Sequence, residues 1–208
     1  MSALAPAISS QIDIKKYVAK AQQYIVLDDV KSLSNIYESH LPSEKITPLL
    51  RNALENGKRR TGLYLLERAV LEEEDVNPRL LVSAGFGGCV LLAQTLLSLP
   101  TIKNRLTAQI KEDALVRAAS SGHLEMVKLL TPVLRSQKRC AEALCWASLN
   151  GHHDIVKFLI KKTDPNYDNS RALQWAFRGQ HKKCVDLLLF VSNIEDASNS
   201  LQHKWGTD

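Results

Sequence analysis

Residues 143–160 read ALCWASLNGHHDIVKFLI. Within ten positions they hold Cys145, Trp146, His152, His153 and Asp154. Such side chains ligate metals and carry nucleophilic catalysis. A zinc site would draw on Cys140, Cys145, His152 and His153, with His181 near Cys184 as a second focus. Zinc ligands usually come as spaced pairs. Cys140 and Cys145 stand at the edge of that spacing, and the neighbours His152 and His153 do not meet it. A catalytic cysteine needs a base within hydrogen-bond reach and a lowered pKa. No Cys–His–Asp set falls at one end of a helix or strand. The GFGG stretch at 85–88 lacks a preceding strand and a Lys-Ser/Thr, so it is not a phosphate loop. Glu72-Glu73-Glu74-Asp75 lacks metal-ligand spacing and reads as a solvated connection, or else as an acidic docking tip. The residues imply no catalytic group, no metal and no cofactor.

The same segment becomes regular once it is set against its neighbours. ALVRAASSGHLEMVKLL (114–130) aligns with ALCWASLNGHHDIVKFL (143–159), and a further shift of 29 residues reaches ALQWAFRGQHKKCVDLL (172–188). Leu115, Leu144 and Leu173 coincide, as do Ala118, Ala147 and Ala176, and then His123, His152 and His181. Gly122 and Gly151 coincide, whereas Gly179 stands one place early and Gln180 takes the glycine slot. Upstream, Leu81-Ala84-Gly88 and Leu50-Ala53-Gly57 keep the internal spacing, and a degenerate copy starts near Val18. The predicted starts are therefore 18, 50, 81, 115, 144 and 173. Leu and Ala three apart share one face of a short helix. The small Ala lets a second helix approach, and Gly lets the chain leave with φ > 0. A second helix follows with an apolar stripe such as Ile155, Val156, Leu159 and Ile160. So short a pair buries its stripe only by stacking on its neighbours.

These residues resemble ankyrin repeats. The likeness rests on Ala-Leu-x-x-Ala-(x)3-Gly-His-x-(Glu/Asp)-(Met/Ile)-Val-Lys-(Leu/Phe)-Leu at 114–130 and 143–159. Thr47-Pro48-Leu49-Leu50 and Asp164-Pro165-Asn166 are similar to further family segments. The resemblance covers about 45–190. It implies an all-α, ankyrin-like helical solenoid of about six helix-turn-helix units, with a structural role for the histidines. The usual unit is about 33 residues, so 29-residue spacing implies shortened connecting fingers. The resemblance also implies partner binding on a concave face made by the fingers and first helices. The exposed pair before the glycine slot is Phe86 with Gly87, Ser120 with Ser121, and Leu149 with Asn150, and the last unit offers Arg178. The fingers would present Lys138, Arg139 and Ala141, then Tyr167, Asp168 and Ser170. Trp146 and Trp175 lie in register, 29 residues apart. We read them as packing residues at the repeat edge, with an exposed platform as the alternative.

The domain reading is a disordered start over 1–10, a repeat domain over 11–190, and a C-terminal cap or tail over 191–208. Within the repeat domain, helices over 13–27 and 28–40 would cap its N-terminal end. The chain carries 27 basic and 22 acidic residues. Residues 1–80 balance at 11 of each, so the excess lies in 81–208, with 16 basic and 11 acidic. The basic residues of 101–139 are spread over two units without interleaved aromatics, which disfavours nucleic acid as the partner. A basic-surface binder of nucleic acid or an acidic partner is one alternative, and an accessory or cryptic enzyme using Cys and His is another. MSALAPAISS has no basic n-region and no long apolar run, and no segment suits a bilayer. With four cysteines, this points to free thiols in a reducing, cytoplasmic setting, with export by a signal-independent route left open. The expected partner is another protein, met as a monomer or within a hetero-complex. The expected role is that of an adaptor, inhibitor or host-directed effector.

Overall fold

The computed structural model describes residues 5–191, apart from 43–44, 72–75 and 134–135. The acidic run at 72–75 and the expected C-terminal cap beyond 191 lie outside the described residues. The described residues hold thirteen α-helices, a one-turn 3-10 helix at Thr131–Val133 and no strand. The chain divides into two compact units, Met1–Arg105 and Leu106–Asp208.

The first unit runs α1 (Ala5–Val26), α2 (Val30–His40), α3 (Ile46–Glu55), α4 (Arg59–Leu71), α5 (Leu80–Gly87), α6 (Val90–Ser98) and the one-turn α7 (Pro100–Lys103). The second runs α8 (Ala108–Ser120), α9 (Leu124–Leu130), α10 (Gln137–Leu149), α11 (His153–Leu159), α12 (Tyr167–Arg178) and α13 (Lys182–Val191). Every expected repeat start falls inside the first helix of a pair. Helix α1 begins at Ala5, within the stretch read as disordered. The longer interval between the starts at 81 and 115 is filled by α7, whose Ile102 is fully buried.

Within each unit the first helices pack side by side, α1 on α3 on α5 and α8 on α10 on α12. The second helices form a row behind them, α2 on α4 on α6 and α9 on α11 on α13. The alanines explain the close first row. Ala53 and Ala84 in the first unit, and Ala118, Ala147 and Ala176 in the second, are completely buried. The apolar stripes of the second helices close the core: Met126, Val127 and Leu130, then Ile155, Val156 and Leu159, then Cys184, Val185 and Leu188. Fully burying one such side chain is worth roughly 1.5–3 kcal/mol.

Side chains set the helix starts. The Thr107 hydroxyl accepts from the Ile110 N–H at 3.3 Å, and the Ser136 hydroxyl accepts from the Arg139 N–H at 3.4 Å. These caps satisfy donors that a helix start leaves open. The Ser136 cap also corrects the finger assignment. Lys138, Arg139 and Ala141 lie in the first turns of α10, and Tyr167, Asp168 and Ser170 open α12. Ala141 is almost buried and Ser170 wholly so. A 29-residue period leaves only short connections after α9, where Thr131–Val133 form a 3-10 turn, and after α11, so residues expected in fingers are drawn into helix.

The turn between paired helices holds Gly151 at φ +75 and, one repeat later, Gln180 at φ +58. Gly179 has an ordinary helical φ of −77. Its glycine is needed for space, because a Cβ there would lie 2.2 Å from the Leu149 carbonyl oxygen.

Candidate partner-binding surface

In the second unit the second helices cover one side of α8, α10 and α12. The opposite side is left to solvent, and the 29-residue register arranges it in rows. Gln109, Lys138 and Tyr167 form one row, and Asp113, Glu142 and Arg171 the next. Arg117, Trp146 and Trp175 form the third, and Ser120, Leu149 and Arg178 the last. Each row runs across three helices, so residues far apart in sequence become neighbours.

Trp146 and Trp175 meet edge to face, with centroids 5.1 Å apart and planes at 87°. Such a pair is worth about 0.5–1.5 kcal/mol beyond its buried area. Both are only partly buried. The Arg171 guanidinium lies over the Trp175 ring at 5.0 Å and donates to Asp168 Oδ2 at 3.0 Å. A cavity of about 590 Å³ opens here between α10 and α12, lined by the two tryptophans, Lys138, Glu142, Tyr167 and Arg171 among others. Its floor includes the buried Ala141 and Cys145. Asp168 at its edge and the buried Ser170 two residues on both hold φ +55, a region that costs a non-glycine residue of order 1–3 kcal/mol.

The structure brings Lys138, Tyr167 and Asp168 together around this cavity, with Arg178 further along α12. The other expected residues have different employment. Asn150 Nδ2 donates to the Ser120 carbonyl at 2.7 Å and to the Ser120 hydroxyl at 3.1 Å. Those two residues tie successive repeats together. Ser121 caps α8 through its backbone N–H. Leu149 is half-buried. Arg139 is the centre of an ion cluster, reaching Glu142 at 2.9 Å, Asp113 at 3.2 Å and Glu112 at 3.5 Å. Phe86 belongs to the first unit, where it is 47% exposed at the end of α5. Sequence reasoning ranked the tryptophans below Leu149 and passed over Arg171 and Glu142. Their common register with Arg117 and Asp113 is the signal that would have found them.

The first unit has an apolar cleft on its second-helix side. Leu63, Leu66 and Val70 of α4 and Thr95 of α6 line a cavity of about 300 Å³. Val70 and nearby Leu91 are 48% and 38% exposed.

The reactive-looking residues serve the stack. His152 begins α11, and its Nε2–H donates to the Ser120 carbonyl of the preceding repeat at 2.9 Å. The rings of His152 and His181 lie against Gly122 and Gly151. Cys89 takes the equivalent slot in the first unit, and its thiol donates to the Leu54 carbonyl at 3.6 Å. All four cysteines are buried and free. Burial pushes the Cys89 thiol up to about 11 and the Cys145 thiol up to about 12, and it raises Cys140 and Cys184 too. A thiol so shifted is the reverse of an activated nucleophile. Among the described residues no three His, Cys, Asp or Glu side chains gather as a metal site would require.

The fold and this surface define a class: a helical-repeat scaffold that presents side chains from successive first helices on one face. A family model described as ankyrin repeats, in three copies, matches residues 80–167 and again 115–199. Together these matches cover more than half of the chain, which belongs to the ankyrin-repeat family. Ankyrin repeats are generally non-catalytic and generally serve protein–protein interaction. No curated protein matches the chain in sequence. No helix among the described residues is long and apolar enough to cross a membrane.

Proposed function

We propose that this chain is a non-catalytic binding module that holds a partner protein on the first-helix, concave side of its second unit. The observation that carries the reading is the Trp146–Trp175 pair, partly exposed beside an open cavity and ringed by Lys138, Glu142 and Arg171. An aromatic anchor point inside a charged rim is the arrangement that concentrates binding energy in protein interfaces. Lys138, Tyr167, Asp168 and Arg178 contact the partner directly. Ser120, Ser121, Leu149, Asn150 and Arg139 hold the helices that present them, and Phe86 is an apolar contact point of the first unit taken by itself.

The chain works as an adaptor, inhibitor or effector inside a cell. Four free, buried thiols are in keeping with a reducing cytoplasm. Affinity capture with the chain as bait, followed by mass spectrometry, tests the docking face. Proteins held by the wild-type chain should be lost with Trp146→Ala or Trp175→Ala while the melting transition persists. Their retention by both variants contradicts the reading. Replacing an interface Trp typically weakens binding by about 2 kcal/mol or more.

A further inference from the structure

The polar groups around the tryptophan cavity divide unevenly. Its carboxylates are engaged: Glu142 accepts from Arg139 at 2.9 Å, and Asp168 accepts from Arg171 at 3.0 Å. Its donors are not. Among the described residues, the Lys138 ammonium makes no ion pair or hydrogen bond, and no acceptor serves either indole N–H. Both tryptophans are only partly buried. The flanking rows add Arg117 and Arg178, exposed and equally without an ion pair. The surface thus combines aromatic faces for an apolar group with donors for an acceptor.

Resting on the docking face just proposed, we infer that the cavity selects an acidic segment of the partner protein. An aliphatic or aromatic side chain of that segment packs against Trp146 and Trp175. A neighbouring Asp or Glu carboxylate pairs with the Lys138 ammonium, within the field of Arg117 and Arg178. The partner's carboxylate replaces water on donors that the protein leaves unmatched, and opposite charge across the rim speeds encounter and sets specificity. A basic segment would meet Lys138 and Arg171 as like charges, and the carboxylates it needs are already held by arginines.

The test uses the full chain against three sets of nine-residue peptides, each with a central Leu, Phe or Trp. The flanking positions are Asp/Glu, Lys/Arg or Ser/Gly, and a ten-nucleotide oligothymidylate forms a fourth arm. The acidic set should bind about tenfold more tightly than the neutral set, and 1 M salt should remove most of that margin. Lys138→Glu, an exposed change that leaves the core untouched, should cut the margin about fivefold or reverse its sign. Trp146→Ala should abolish binding of the acidic set, with a melting curve taken alongside. An acidic set that binds no better than the neutral one overturns the inference, as does an unchanged margin in Lys138→Glu. If basic peptides or the oligonucleotide are preferred and lost with Trp146→Ala, the partner chemistry is wrong and the docking face stands. If acidic peptides bind equally well to Trp146→Ala, the docking face falls with it.

Discussion

Gly179 and Gln180 show how one side chain is placed by its neighbours. By alignment, Gly179 is a turn glycine displaced by one position. In the structure the left-handed residue is Gln180, and Gly179 gives room to the Leu149 carbonyl. Adjacent substitutions should therefore act in opposite directions. Gly179→Ala should cost about 1–3 kcal/mol, the usual range for forcing atoms into a packed contact. Gln180→Gly should be neutral or stabilise by up to about 1 kcal/mol, because it removes left-handed strain at some entropic cost. Chemical denaturation of the two variants measures both. The glycine itself was legible in the sequence, but its purpose was not, since no local pattern announces a carbonyl from the preceding repeat. The histidine slot was readable for the opposite reason: three copies at one spacing mark a structural position. Leu149 and Asn150 are expected as an exposed pair before the glycine slot, yet Asn150 is spent on Ser120 and Leu149 is half-buried.

At the scale of elements, contacts between repeats do work that sequence patterns assign to single helices. Asp28, just after α1, accepts from the Thr61 N–H and hydroxyl, each at 2.9 Å, and so caps α4 from the repeat before it. Burial pushes the Asp28 carboxyl up, but these hydrogen bonds and one from the Arg60 N–H outweigh it and hold the pKa below its usual value. A lowered folded pKa contributes stability that is complete above the unfolded pKa and lost as pH falls through the folded one. Asp28→Asn keeps an acceptor and tolerates the φ of +54. It should cost roughly 0.5–1 kcal/mol at pH 7, the scale of a charge-assisted bond reduced to a neutral one. The difference should shrink below about pH 3.8, which urea titrations across pH would register. Arg139 bridges α8 and α10 through three carboxylates. Arg139→Ala should cost about 1–2 kcal/mol and less in 1 M salt, because it leaves those carboxylates facing one another. The helices and their order followed from the 29-residue register and the Leu-Ala-Gly spacing. The finger residues did not, since a single cap at Ser136 decides whether Lys138 and Arg139 stand in loop or helix.

For the molecule as a whole, the repeat is both the fold and the means of building a surface. A period shared by α8, α10 and α12 aligns equivalent positions into rows, and it brings Trp146 beside Trp175 without any local signal in either helix. The register was legible. The choice between packing and an exposed platform was not, because it depends on whether a further helix covers that side, and none does among the described residues. Phe177 shows the same rule. Its equivalents Ala119 and Ser148 are fully buried, while Phe177 in the last pair is 42% exposed. The apolar cleft of α4 and α6 in the first unit is the competing docking surface. A photocrosslinking benzoyl-phenylalanine in place of Tyr167 in the second unit, compared with one in place of Val70 in the first, decides between these two surfaces in cell lysate. Both positions are exposed. Crosslinked partner adducts at position 167, lost when Trp146→Ala is added and absent at position 70, are the predicted result. Adducts at position 70 with none at 167 would contradict the account.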